Sequence, residues 1–528
     1  MENKFRNHPS YIIEKVGAFW SAIVIFLVVS IVSDYQDFAD IIYEFNESGE
    51  SVFGLLIPLA VLLFGTLAQL LFHWNRWRKT WITVDESSLT ISRNTINRNI
   101  DTIGIKNISN VNIERNIMEM ILGTSKVKID TDSRSTADKT DVVLFLKKDN
   151  AEALRAHLLS AINTPSTAEA SSEESTNAET IIASTIPPVD DSYDVFYSTK
   201  NVLSHCLFSA SMFGILVCLA GILILIGLII YTVTVPGQSV AATMARIMEF
   251  MSTITVVATT FCAVVYATIK DFFIYYHFRG RRRGDTIQLA FGLFKQRSYE
   301  IPVNRIHSII INRPLLSRLF KRCYVDLVCV GVGDEKAENV RLLLSIQEKY
   351  VAEALHRLLP EFDAYFQEEQ DGLRLRAPKR IWFRHLFGGV KFLAVEVIVY
   401  AIIASHDPFC RSSVFTTAYW ICSVAVLLFY FFGCYLGYRA YAMMMQKDFV
   451  SITSGIFKIQ TNFVQYDKIQ YIELMEKISD RVLHMERGVL YILASTLQSL
   501  IPIPAFSKDE LDKLVELYLE NDKKYHTL

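Results

Sequence analysis

The chain has 528 residues, 51% of them hydrophobic and 20% charged, with a formal net charge of −2. That balance excludes a single soluble globule and a wholly membrane-buried protein, and it suits membrane and aqueous parts in alternation. The charge is segregated along the sequence, so the small net value excludes nothing by itself.

The first apolar run, Gly17 to Ser33, is flanked by Arg6 and Lys15 and lacks a small-residue cleavage site, which predicts a retained anchor. The loop from Asp34 to Ser51 carries Asp34, Asp37, Asp40, Glu44, Glu47 and Glu50 and no lysine or arginine. Val52 to Phe72, kinked at Pro58, completes a first hairpin within residues 1–78. Residues 79–162 then read as a polar module. Trp81–Val84, Leu89–Ser92, Val111–Ile113, Val127–Ile129 and Val142–Leu146 have strand character, several with period-two alternation. Asp149 to Ile162 reads as an amphipathic helix. Residues 163–196 are rich in Ser, Thr, Ala and acidic residues, with no lysine or arginine before Val195. Such a segment buries too little apolar surface to offset its ordering entropy, which predicts a disordered linker.

Residues 197–278 form a second hairpin, from Cys206 to Val235 and Met251 to Ile269. Ser209, Ser211, Gly214, Gly221 and Gly227 supply small residues that permit close helix approach. Arg279, Arg281, Arg282 and Arg283 open a second polar module, residues 279–370, which ends on Val340–Ser345 as strand and Glu348–Leu359 as helix. A third hairpin, residues 371–440, uses Leu386 to Ala404 and Val414 to Tyr435. The third module, residues 441–528, closes on a helix announced by the capping-box pair Ser507 and Glu510 ahead of Leu511, Leu514, Val515 and Tyr518. All six apolar segments lie near the ~20 residues that a hydrocarbon core of about 30 Å requires. Basic residues cluster at one end of the hairpins: Arg76, Arg78 and Lys79, the four arginines from Arg279, then Lys379, Arg380, Arg384 and Arg439. Trp74 and Trp77 suit an interfacial belt at that end, so both termini and all three modules are expected on the cytoplasmic side.

The modules are copies of one another. Ile306 falls on Ile469, 163 residues on, and Gly292, Phe294, Lys295 and Arg305 fall with it on Gly455, Phe457, Lys458 and Lys468. Ile108 falls on Ile306, 198 residues on, taking Asn110, Arg115, Ile117, Val127 and Ile129 onto Ser308, Arg313, Leu315, Val325 and Leu327. The excess of 35 residues in the second spacing is close to the length of the acidic linker. An internal repeat of this size sets the architecture. The expected fold class is membrane α plus soluble β: six transmembrane helices in three hairpins, each followed by a bent β-barrel or sandwich of about seven strands capped by a C-terminal helix.

The second copy carries "G-hydrophobic-aromatic-basic … IP-x-x-[RK]-I-x-S-[IV] … L-L-x-R-L-F" through Gly292, Phe294, Lys295, Ile301, Pro302, Arg305, Ile306, Ser308, Leu315, Leu316, Arg318, Leu319 and Phe320. The third has Gln465 where the proline falls, and the first has Asn94 for the glycine and Asn107 for the basic residue. With three membrane hairpins in alternation, this pattern resembles the YdbT-like bacterial membrane proteins, whose soluble units are bacterial pleckstrin-homology-like domains. The resemblance implies a multi-pass protein of the bacterial cell (inner) membrane with no established catalytic activity. It also implies a smaller one-domain relative as partner in a hetero-complex.

Catalytic signatures are absent: the sequence has no HExxH, no P-loop, no G-x-S-x-G and no dinucleotide fingerprint after a strand. The eight cysteines form no CxxC pair, and the eleven histidines show no metal-ligand spacing. No enzyme activity, cofactor, metal or nucleic-acid partner is expected. Arg279, Arg281, Arg282 and Arg283 lie beside a membrane helix, where each contributes about 1 kcal/mol toward anionic headgroups, or else only sets topology. Lys295, Arg305, Arg313 and Arg318 make a basic face for a lipid or protein partner, or are solvated strand and loop residues. Glu396 sits mid-span with Lys391 five positions earlier; at that depth it must face protein or water, as an inter-helix hydrogen bond or as a relay. Two functions follow: a non-enzymatic scaffold presenting three modules, in envelope stress or resistance to membrane-active agents, or a transporter or lipid-handling protein using the helix bundle.

Overall fold

The computed structural model describes residues 4–33, 53–85, 87–95, 98–131, 142–163, 193–209, 221–222, 226, 240–329, 340–363, 373–406, 413–492 and 500–526. The expected linker lies almost wholly outside them. The chain divides into two units: the first holds the first copy of the repeat together with Lys295–Arg297, and the second holds the other two copies.

The first copy runs β1 (Lys4–Phe5), α1 (Ser10–Ser33), α2 (Phe53–Arg78), β2 (Thr80–Val84), β3 (Ser88–Asn94), β4 (Arg98–Gly104), β5 (Ile108–Asn116), α3 (Ile117–Leu122), β6 (Thr124–Thr131), β7 (Val142–Lys147) and α4 (Lys148–Asn163). The second repeats that order as β8 (Val195–Phe196), α5 (Thr199–Ser209), α6 (Val240–Ile274), β9 (Arg279–Arg283), β10 (Thr286–Phe291), β11 (Lys295–Pro302), β12 (Ile306–Pro314), α7 (Leu315–Leu319), β13 (Arg322–Cys329), β14 (Val340–Gln347) and α8 (Val351–Leu358). The third is β15 (Leu373–Arg376), α9 (Ile381–His406), α10 (Ser413–Ala440), β16 (Ala442–Met445), β17 (Phe449–Ser454), β18 (Lys458–Gln465), β19 (Ile469–Met475), α11 (Ile478–Val482), β20 (Met485–Ile492), β21 (Leu500–Ser507) and α12 (Lys508–His526).

Repetition extends to irregularities. The first strand of each second sheet is bulged at the same place, between Ile108 and Asn110, Ile306 and Ser308, and Ile469 and Tyr471. Gly292 and Gly455 hold φ at 113° and 117°, a region closed to other side chains, which explains their recurrence. The same repeat position just beyond each short helix is left-handed as well: Gly123 at φ 65°, Lys321 at 51° and His484 at 50°. Only the first copy uses glycine there. We expect Lys321→Gly to stabilise the second copy by about 1 kcal/mol, the order of the left-handed penalty for a side chain, as a raised melting temperature.

Each copy is an open two-sheet sandwich. In the first unit, β1-β2-β3-β4 forms one sheet and β5, β6 and β7 form a second ladder, around a core of Ile82, Leu89, Val111, Val127 and Leu144. The terminal helix α4 buries Ala151, Leu154 and Leu158 on that core, each leucine contributing roughly 1.5–3 kcal/mol. Helix α8 does the same with Val351, Leu355 and Leu358, and α12 with Leu511 and Leu514. The expected cap is present, with the Ser507 amide donating to Glu510 Oε2 at 3.0 Å.

The structure corrects two expectations and meets a third in part. Among the described residues no closed barrel forms. The second sheet of the second copy instead continues into the first sheet of the third, giving seven strands in the order β14-β13-β12-β18-β17-β16-β15. Ser308 to Pro314 pair antiparallel with Val464 to Lys458. Ile309 and Ile311 fill the core of the second copy while Ile310, facing the other way, joins the core of the third. Second, among the described residues each module contributes six strands of its own; the seventh comes from ahead of its hairpin. Phe5 pairs with Ile82, Phe196 with Arg279 and Arg376 with Ala442, so the segments entering and leaving a hairpin lie side by side in one sheet.

The third expectation, the membrane part, is met in part. Among the described residues three helices are long and apolar enough to cross a membrane, Met251–Ile274, Ile381–Ser405 and Tyr419–Ala440, against the six expected. The expected spans Gly17–Ser33 and Val52–Phe72 fall on α1 and α2, many of whose side chains lie outside the described residues, as does most of Cys206–Val235. Cys206 itself belongs to the soluble core: α5 buries Val202, His205 and Cys206, and the Ser345 amide of β14 donates to His205 Nδ1 at 3.2 Å. Burial and the neighbouring Arg341 guanidinium hold the His205 imidazole well below its ordinary pKa, hence neutral. Gly221 allows the close approach expected of it, since a Cβ there would lie 2.3 Å from Val257 Cγ2 on α6.

Candidate anion-binding cavity

The basic residues singled out in the sequence do not form one surface. Arg279 to Arg283 make β9, and strand alternation sends them apart. Arg279 and Arg281 lie over the Tyr193 ring at 5.1 and 5.6 Å, and Arg281 Nε donates to Gln288 Oε1 at 2.7 Å. Arg282 is held by the Glu361 carboxylate and donates to the Leu358 carbonyl at 3.1 Å; that pairing keeps the Glu361 carboxyl below its ordinary range. Arg283 is exposed at the turn into β10. The run is therefore a structural strand, with Arg282 already committed. Lys295 lies in the first unit, its Nζ 3.1 Å from the buried Glu114 carboxylate, which Lys128 also reaches at 3.1 Å. Arg305 ends the turn before β12, half-buried, and Arg318 on α7 has a buried Nη1 without a hydrogen-bond partner.

Arg313 is different. It stands at the end of β12 on the seam with β18, where Nε donates to Glu348 Oε1 at 2.7 Å and Nη1 to Thr461 Oγ1 at 2.8 Å. Thr461 Oγ1 lies 3.1 Å from Thr453 Oγ1. Beside these groups is a cavity of about 480 Å³ that Arg313 lines together with Arg374 of β15 and Arg439 in the last turn of α10. Among the described residues Glu348 is the one acid in the lining, so three guanidiniums outnumber it. A cation in the last turn of a helix is favoured by the helix dipole, which accounts for Arg439. Apolar side chains, among them Ile311, Met443 and Phe463, cover the rest of the wall. Planar guanidiniums and hydroxyls lining a cavity beside an apolar wall suit a phosphate or carboxylate carried on an apolar body.

Sequence reasoning named Arg313 and used Arg439 only for orientation; it missed Arg374 and Thr461. The one available signal was the alternation Leu373-Arg374-Leu375-Arg376, a short strand whose arginines share a side. The pair expected within the membrane also separates. Lys391 Nζ lies 4.7 Å from the centre of the Phe387 ring, while Glu396 receives the Tyr419 hydroxyl of α10 at 2.5 Å on Oε2 and 3.0 Å on its own carbonyl. Tyr400 lies against Tyr419 and bonds Thr416 at 2.8 Å. Glu396 thus ties α9 to α10. Glu396→Gln keeps an acceptor for Tyr419 and should leave thermal stability in detergent unchanged, whereas Glu396→Leu should lower it by about 1 kcal/mol, the usual worth of a hydrogen bond between membrane helices.

A family model described as Bacterial PH domain matches residues 14–162, 212–360 and 392–522. Neither the curated proteins nor the solved structures compared with the chain gave a match.

Proposed function

The chain belongs to the bacterial PH domain family, and from that premise we propose that it is a non-enzymatic, YdbT-like scaffold of the bacterial cell membrane. It crosses the membrane six times, keeps its three PH domains and both termini in the cytoplasm, and holds an anionic lipid headgroup between its second and third domains. The scaffold stands ready for a protein partner, such as a smaller membrane protein with one PH domain, in envelope maintenance or resistance to membrane-active agents. The observation carrying this reading is the cavity shared by Arg313, Arg374 and Arg439, placed where α10 enters the joined sheet.

The test uses the purified full chain in detergent, exposed to phosphatidylglycerol or phosphatidylcholine and weighed intact by native mass spectrometry. The chain should retain phosphatidylglycerol preferentially. Arg374→Gln with Arg439→Gln should lower that retention about tenfold or more, since a hydrogen bond to a charged group contributes about 1.5–3 kcal/mol and 1.4 kcal/mol is tenfold. Equal retention of the two lipids, or an unchanged double variant, would overturn the reading.

A further inference from the structure

A sheet edge used inside the chain recurs, uncovered, at its two ends. The seam between the second and third domains joins the first strand of one second sheet, β12, to the last strand of the next first sheet, β18. By repeat position, β19 is the third domain's β12 and β4 is the first domain's β18. The correspondence holds to the residue: β17 pairs with β18 from Phe449↔Gln465 to Ser454↔Gln460, and β3 pairs with β4 from Ser88↔Gly104 to Asn94↔Arg98. Among the described residues, β19 has a neighbour on one side only, β20, and β4 has only β3.

Burial separates covered edges from uncovered ones. From Ser308 to Asn312 every residue of β12 is buried, whereas on β19 the equivalent Tyr471, Glu473 and Met475 are exposed. From Thr461 to Val464 β18 is buried, whereas no residue of β4 is. Exposed strand edges of this kind present unmet backbone donors and acceptors and are natural templates for another strand.

We propose that β19 of one copy pairs antiparallel with β4 of a second copy, repeating between chains the joint that β12 and β18 make within one. The seam sets the register: Tyr471 faces Ile103, Ile472 faces Thr102, Glu473 faces Asp101, Leu474 faces Ile100 and Met475 faces Asn99. Ile100, half exposed at 50%, gains the apolar neighbour it lacks. Glu473 and Asp101 carry like charges, but each is already engaged on its own chain, Glu473 by the Tyr491 hydroxyl at 2.7 Å and Asp101 by Arg93 Nη1 at 2.5 Å. One step further, Glu476 comes opposite Arg98. The two edges differ, so the contact is heterologous and propagates into a closed ring or an open row of copies. The occupant is fixed by the presence of both complementary edges on one chain.

Two differently tagged full-length copies, one carrying Glu473→Cys and the other Asp101→Cys, are co-expressed and oxidised in native membranes. The expected product carries both tags at twice the 60.3 kDa of the chain. A second in-register pair, Tyr471→Cys with Ile103→Cys, should give the same adduct and carries the test if the first variants fail to fold. Tyr471→Cys with Asn99→Cys, four residues out of register, should stay at the level of the single variants. Absence of both in-register adducts, equal crosslinking out of register, or an adduct of Glu473→Cys with a protein of another mass that does not need Asp101→Cys would each overturn the second copy as occupant.

Discussion

Asp326→Ala should cost the joined second and third domains about 3–5 kcal/mol, the penalty for stranding one partner of a buried ion pair. Asp326 is buried on β13, where Oδ1 accepts from Arg341 Nε at 3.0 Å and Oδ2 from Asn312 Nδ2 at 2.8 Å. The chain of bonds crosses the seam, because Gln460 Nε2 of β18 donates to Asn312 Oδ1 at 2.8 Å. Without Asp326, Arg341 retains, among the described residues, the faces of Tyr324 and Tyr275, 4.2 and 4.8 Å from its guanidinium carbon, and its contact with His205. Removing both charges as Asp326→Leu with Arg341→Met should recover most of the loss, since a buried pair is worth little more than the apolar packing that replaces it. Thermal unfolding of the full chain in detergent checks both. A single variant within 1 kcal/mol of the parent, or a double variant worse than the single, would contradict the account.

Gly455→Val should be nearly as damaging, at about 3 kcal/mol. At φ 117° a side chain is strained, and a Cβ there would lie 2.0 Å from the Lys458 carbonyl oxygen, which belongs to the backbone and cannot swing away. The turn it disrupts sets the register of β18, so the damage reaches both the third domain and the seam. Gly284 is the control: its φ is also positive, at 58°, but nothing lies within 4 Å of the Cβ position. Gly284→Asn should therefore cost less than about 1 kcal/mol, because asparagine enters that left-handed region readily. Matching losses at the two sites would show that steric contact is not what fixes Gly455.

The sequence made local features legible. Strands with period-two patterns, the terminal amphipathic helices, the recurring glycines and the mid-span carboxylate all depend on neighbours a few residues away. The seam depends on residues some 150 positions apart, and no periodicity reports such a pairing. A trace of it was present all the same. β12 reads Ser308-Ile309-Ile310-Ile311-Asn312, apolar on both faces, whereas β19 reads Tyr471-Ile472-Glu473-Leu474-Met475 and keeps a charge on its outer face. An unbroken apolar run marks a strand covered on both sides, and here it separates the enclosed edge from the end of the array. The entry strands were illegible for another reason: two residues such as Val195 and Phe196 carry no pattern at all. Arg374 followed from that omission, since only its place on β15 brings it to Arg439 and Arg313.

Those entry strands change what counts as one domain. Because β8 and β9 are neighbours in a sheet and the segment that carries α6 lies between them in sequence, that segment is an insert and the PH domain is its host. A soluble fragment begun after the hairpin would discard an edge strand and, in the second domain, the buried face of α5 as well. The excision that respects the fold keeps both flanks and replaces only the hairpin by a short tether.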